Sequence, residues 1–153
     1  MHLRLIAVGK LREPYLIAAA EDFRRRLRPY HRLDEVEVRA GDGSDAARSM
    51  ADEADAILRL VAPSATLWLL ERTGTELSSE ALAARIERLP VEGTSQLTIA
   101  IAGTYGAAPA LLARAQFRWS LSQLTLLHEW ARVLVLEQLY RAAKIAANEP
   151  YHH

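Results

Sequence analysis

The chain has 153 residues, 19 Lys and Arg against 19 Asp and Glu, five histidines and no cysteine. A chain of this length most simply folds as one domain, residues 1–153, and buries roughly 70% of its unfolded surface, so it needs no staple to hold a core. The missing cysteines exclude disulfides, thiolate zinc sites, iron–sulfur clusters and cysteine nucleophiles. The balanced charge argues against the globally basic surface of many nucleic-acid binders. The opening residues are too short and interrupted for a signal peptide, and no apolar run reaches the length of a membrane span, so a cytoplasmic protein with no membrane partner is expected.

In chain order, "LRLIAV" (3–8) predicts a strand, and Pro14 opens a helix in which Leu16, Ala19, Ala20, Phe23 and Leu27 recur at helical spacing. That helix runs into "RRRLRPYHR". Between Lys10 and Arg32 there are seven basic and three acidic residues, whereas Leu33 to Leu60 holds three basic and eight acidic. Arg24, Arg25, Arg26, Arg28 and Arg32, beside Tyr30 and His31, suit phosphate neutralisation with a stacking ring. They suit equally a solvated helix end favoured by the macrodipole. "VEVRA" (36–40) predicts a period-two strand, and Gly41 and Gly43 precede a helix from about Ser44 to Val61, stopped by Pro63.

"TLWLL" (66–70) is a short apolar strand. Ser78 or Ser79 caps the next helix, with Glu80 in its first turn, and Pro90 ends it. "LTIAIA" (97–102) is a further buried strand, "GTYGAAP" turns into a helix near Pro109, and "RWSLSQL" leads to a long helix from about Leu127 to Ala147. Five strands alternating with five helices predict a mainly parallel sheet covered on both faces. Ligands of such sheets sit beyond the carboxyl ends of the strands, which directs attention to the loops after Leu70, after Ala102 and around Leu121.

Two segments stand out. "WSLSQLTLLH" (119–128) mixes Ser120, Ser122 and Thr125 with four leucines and a tryptophan, a pattern that suits a loop folded over a ligand better than a buried strand or an exposed turn. In the last helix Val133, Leu134, Val135 and Leu136 are consecutive, so it must be covered on more than one side, and a second copy of the chain is a plausible second cover. Arg132, Glu137 and Arg141 punctuate that surface, where an internal ion pair and a solvated arginine are the ordinary outcome.

"WSLSQLTLLHEWARVLVLEQLYRA" followed by "EPYHH" resembles the carboxyl-terminal signature of the RlmH (YbeA-like) family of SPOUT-class rRNA methyltransferases. "LIAVGK", "LLERTGTELSSEALA" and "IAIAGTYG" extend the resemblance along the chain in order. It implies an α/β SPOUT-type parallel-sheet domain with a carboxyl-terminal trefoil knot, working as a homodimer. It also implies S-adenosylmethionine held by Leu70, Gly103 and the run Leu121, Ser122, Gln123, Leu124, Thr125 and Leu126. The implied reaction is methylation of N3 of pseudouridine 1915 in the helix 69 loop of 23S rRNA, on the assembled 70S ribosome and without a metal. His152 is then the expected base beside Tyr151 and Arg141, with His128 as the alternative base, though a helix-start residue bonded to backbone is its more ordinary role. Arg24, Arg25, Arg28, Arg132 and His153 become the expected RNA contacts, Arg132 by reaching across the dimer. Ala102, Leu127, His153 and the pair Glu71-Arg72 depart from the family's usual residues.

Readings from other classes fit poorly. "GTYG" has two of the glycines of a dinucleotide-binding loop, and Ala102 stands where the first is expected. No serine lies in a G-x-S-x-G frame, and no two histidines stand in an H-x-x-x-H pair. The surviving rival is a knotted ribosome-binding protein with weak or lost catalysis.

Overall fold

The computed structural model of the chain describes residues 1–151. Strand β1 (His2–Val8) sets the plan: Leu3, Leu5 and Ala7 enter one core, while Ile6 and Val8 enter another on the opposite face. A strand buried on both faces has no polar side to alternate with, which is why its second half, Leu5 to Val8, reads as an unbroken apolar run. β1 lies parallel to β2 (Arg32–Val38) on one side and β4 (Gln96–Ile101) on the other. β4 pairs with β3 (Thr66–Glu76), and β3 with β5 (Phe117–Ser120), all parallel, giving the order β2-β1-β4-β3-β5.

Helices α1 (Pro14–Leu27), α3 (Ser79–Val91) and α5 (His128–Ala146) cover one face through Leu16, Leu82, Val135 and Leu139 packed with Trp68, Ile99 and Trp119. Helices α2 (Ala46–Leu60) and α4 (Pro109–Arg114) cover the other through Ile57 and Leu111. The expected sheet with helices on both faces is the one observed.

Several boundaries moved. β2 begins at Arg32 and stops at Val38, where the apolar pattern suggested 36–40, because it pairs with β1 without a break from His2↔Arg32 to Val8↔Val38. Asp34, Glu35 and Glu37 had masked its first half. α2 starts at Ala46 where about Ser44 was expected, and Asp45 caps it by accepting from the Arg48 N–H at 3.2 Å. Ser78 caps α3 through the Ala81 N–H at 3.0 Å, and that helix continues through Pro90 to Val91.

The largest departure is in β3, which continues past Leu70 to Glu76. Leu70 and Thr75 both stand opposite Trp119, so residues 71–74 bulge out of the ladder between them. At the base of the bulge Gly74 lies against the β5 backbone, and a Cβ there would stand 2.5 Å from the Arg118 carbonyl oxygen. This bulge lifts Glu71 and Arg72 toward the carboxyl end of the sheet.

Candidate functional site

β3 reaches Leu70, β4 ends at Ile101 and β5 at Ser120, all at the same edge of a parallel sheet. The segments that follow them enclose a cavity of about 500 Å³. Leu70, Gly103, Leu121, Ser122, Leu124, Thr125 and Leu126, the residues expected around a ligand, all line it. Gln123 does not, since its carbonyl accepts from Arg72 Nη1 at 3.3 Å and braces the rim instead. The cavity also takes in Glu71, Arg72, Thr104, Tyr105, Leu127 and His128, which the sequence left unassigned or secondary. Their common signal is position, because each flanks a strand end or the start of α5.

Two of the three hydroxyls that raised the question of a wrapped ligand, Ser120 and Ser122, act on the backbone. Ser120, 2% exposed, directs its hydroxyl at the carbonyls of Arg72 at 2.8 Å and Ser122 at 3.0 Å, tying the β3 bulge to the loop after β5. Ser122 Oγ accepts from the Leu124 N–H at 3.0 Å and sets a local turn. The leucines are thereby left to form the apolar walls. On the opposite wall Gly106, at φ 89°, donates its N–H to the Gly103 carbonyl at 3.0 Å and closes a tight turn.

Gly103 is small for a reason the sequence hid. A Cβ on it would stand 2.6 Å from both carboxylate oxygens of Glu53, which reaches up from α2 behind the cavity wall.

The residues expected to do chemistry lie elsewhere in the chain. Arg141 chelates Glu137 Oε1 through Nη2 at 2.6 Å and Nε at 3.1 Å. Tyr151 donates to the same oxygen at 3.2 Å, packs edge-on against Tyr140 at 4.6 Å, and lies under the Arg141 guanidinium at 4.8 Å. Burial, reinforced by the Glu137 charge, raises the Tyr151 pKa. Further along, Tyr30 donates to Glu149 at 2.6 Å while Lys144 pairs with Glu149 and donates to Tyr30 at 3.1 Å, pinning the segment after α5 to the turn that follows α1. These bonds hold Lys144 protonated well above its usual range and Glu149 below its own. Ten residues separate Arg141 from Ala131, which lines the cavity, so at 1.5 Å rise per residue the two stand about 15 Å apart along α5. His152 and His153 lie outside the described residues.

Arg132, expected to reach RNA across a dimer, is buried within its own chain. It pairs with Glu37 at 2.8 Å and Glu35 at 3.5 Å, its side chain 7% exposed. The acidic residues that disguised β2 are its partners, and Arg24 shares Glu35 at 2.5 Å. Arg25 and Arg26 pair with Asp22, one turn away. Arg28 remains exposed at the end of α1. Arg24, Arg25 and Arg26 of the basic run therefore serve ion pairs within the chain, which neither the phosphate reading nor the solvated-helix-end reading had specified.

α5 is not apolar all round to solvent, for Val133, Val135 and Leu136 are buried by α1, α3 and the sheet. What remains exposed is a strip of Leu124, Leu127, Trp130 and Leu134, continued on α1 by Tyr15, whose ring lies 6.0 Å from that of Trp130. Among the described residues no cluster of three His, Asp or Glu could hold a metal ion, and no helix is long and apolar enough to cross a membrane.

Comparison with known proteins bears on these features together. Residues 1–152 match the family model described as "Predicted SPOUT methyltransferase". The chain is 41% identical to the ribosomal RNA large subunit methyltransferase H of Moorella thermoacetica, with 99% of each chain covered. It is 41% identical to the protein of the same name from Gloeobacter violaceus, covering 100% of this chain and 99% of that one. To that of Pelobacter propionicus it is 40% identical over the whole of both. A five-stranded parallel sheet with its cavity at the strand ends, carried by a sequence alike from end to end, places this chain in the RlmH family of SPOUT methyltransferases.

Proposed function

We propose that the protein is an S-adenosylmethionine-dependent methyltransferase of large-subunit rRNA, acting as a knotted homodimer on N3 of the pseudouridine in the helix 69 loop of the assembled 70S ribosome. The observation that carries this reading is the convergence of Leu70, Gly103 and the 121–126 loop on one cavity at the carboxyl ends of the strands. Its residues fit such a donor. Leu70, Leu121, Leu124 and Leu126 offer flat apolar walls to an adenine ring, and the turn at Gly103 offers backbone donors and acceptors at the ring edge.

When bound, the donor supplies a methyl group on a sulfonium, a leaving group activated by its own charge. The chain's task is to bring the attacking nitrogen into line and to take its proton. An imide proton with a pKa about two units above neutral costs roughly 3 kcal/mol to remove at pH 7, which a nearby cation and base offset. His152 is the base in this reading, with Tyr151 and Arg141 holding phosphate or base carbonyl beside it.

The separation of about 15 Å along α5 between Arg141 and the cavity-lining Ala131 of the same chain is itself an argument for two copies. The strip of Leu127, Trp130 and Leu134 beside the cavity is the surface on which a second copy sits, bringing its own chain end to the first copy's donor. Arg25, Arg28 and His153 are the candidate RNA contacts in this arrangement, Arg132 being engaged with Glu35 and Glu37.

The test is transfer of labelled methyl from S-adenosylmethionine to purified 70S ribosomes lacking the modification, with the product nucleotide identified by mass spectrometry. Transfer to the helix 69 pseudouridine is expected, with a fall of at least about 100-fold in His152→Ala and donor binding retained. A thermal shift with the donor but no methyl transfer to any ribosomal particle would refute the enzyme reading in favour of a ribosome-binding protein.

A further inference from the structure

Glu53 is 6% exposed on α2, and no arginine, lysine or histidine among the described residues pairs with it. Its Oε1 accepts from the Gly41 N–H at a long 3.4 Å, and its Oε2 has no hydrogen-bond partner among the described residues. A buried carboxyl group left half-bonded is costly, and a leucine or methionine would fill the same space without that cost. The oxygens do not point into the α2 core. They lie against Gly103, at the spot where a side chain would begin, and the other side of Gly103 is the cavity wall.

The charged groups that line the cavity itself are differently placed. Glu71 is occupied by the Thr73 N–H at 3.0 Å and by the Thr73 hydroxyl, and Arg72 is exposed and donates to Gln123. His128 stands at the opposite side, near Gly9. Water screens Arg72, whereas the field of Glu53 passes only through the backbone of one glycine.

We propose that Glu53 is a positioning residue that makes the cavity prefer a cationic ligand, favouring the sulfonium of S-adenosylmethionine over the neutral thioether of the product, S-adenosylhomocysteine. This rests on the methyltransferase reading and adds to it a residue that stands behind the wall at Gly103, outside the cavity lining. Donor and product share the adenosine and amino-acid parts, so the leucine walls and backbone bonds treat them alike. They differ by one methyl group and one positive charge. A unit negative charge about 12 Å away, at an effective dielectric near 20, appears in the ratio of the two affinities at on the order of tenfold.

The experiment is calorimetric titration of both compounds into the unsubstituted protein, Glu53→Gln and Glu53→Asp. Glu53→Gln is expected to weaken the donor about tenfold and the product less than twofold, while Glu53→Asp, which keeps the charge, restores most of the ratio. Where Glu53→Gln fails to fold, Glu53→Asp against Glu53→Asn carries the same comparison. Equal losses for donor and product, or an Asp variant as unselective as Gln, overturn the role of the charge and leave only a packing role. If the unsubstituted protein binds neither compound, the methyltransferase reading fails and this one with it.

Discussion

Gly74 is where the bulge of β3 and the loop wall of the cavity depend on each other. In Gly74→Ala the new methyl would stand 2.5 Å from the Arg118 carbonyl oxygen, 2.7 Å from its carbon and 3.0 Å from the Glu71 carbonyl oxygen. Comfortable separation of such atoms is about 3.5 Å, so the shortfall is about 1 Å, and all three obstacles are backbone. The strands must part. The pairs at risk are Thr75↔Trp119 and Glu76↔Ser120, the last rungs before the 121–127 loop. Two weakened ladder bonds and the associated strain amount to about 2–4 kcal/mol. For a chain of this size that is a fall of roughly 5–15 °C in melting temperature. Gly93→Ala provides the comparison, since nothing lies within 4 Å of its added carbon and only the positive φ of 90° is strained, for about 1 kcal/mol. Differential scanning fluorimetry with and without S-adenosylmethionine reads both quantities. Gly74→Ala is expected to lose stability and also at least several-fold in donor affinity, because β5 carries the leucine wall. A Gly74→Ala protein that melts no lower than Gly93→Ala and binds donor normally would refute the role given to the bulge.

Other substitutions probe separate links. Leu127→Asp places an unpaired charge on the apolar strip at the start of α5 once per copy, so the proposed symmetric interface meets it twice, and sedimentation velocity should show the proposed dimer dissociating at concentrations at least about 100-fold higher than in the unsubstituted protein; a dimer equally tight in both argues for another interface. Ser120→Ala removes the hydroxyl between the Arg72 and Ser122 carbonyls and should cost about 1 kcal/mol in urea unfolding with a several-fold weaker donor; unaltered donor affinity would mean the two walls hold without it. Glu129 accepts from the backbone N–H groups of Arg12 and Glu13, at 3.2 Å for the second, and the Arg12 bond chiefly keeps its pKa below the usual value. A carboxyl group depressed in the folded state stabilises above its unfolded pKa of about 4.3, and the contribution disappears as pH falls through the folded value. Glu129→Gln should therefore be less stable than the unsubstituted protein at pH 7 and approach it as pH falls below the ordinary carboxylate range, and a gap that persists in strong acid would exclude the linkage.

The alternation of apolar runs, the caps and breakers, and the locus of the cavity at the strand ends were legible in the sequence, because each depends on residues near one another in the chain. β1, β4, α1 and α5 came out within two residues of their expected limits. What failed to show was set by partners far away in sequence. β2 looked too charged over its first half to be a strand until Arg24 and Arg132 arrived from two helices to meet Glu35 and Glu37. The hydroxyls of 119–128 suited a ligand and a backbone tie alike in the sequence, because nothing local says that Ser120 will find the Arg72 carbonyl 48 residues back. Gly103 looked like a concession to a ligand, yet it also makes room for Glu53, fifty positions earlier. Local periodicity follows from the backbone geometry every segment carries with it, whereas the pairing of a charge or the crowding at a glycine exists only once the chain has closed on itself, and that part belongs to the tertiary structure alone.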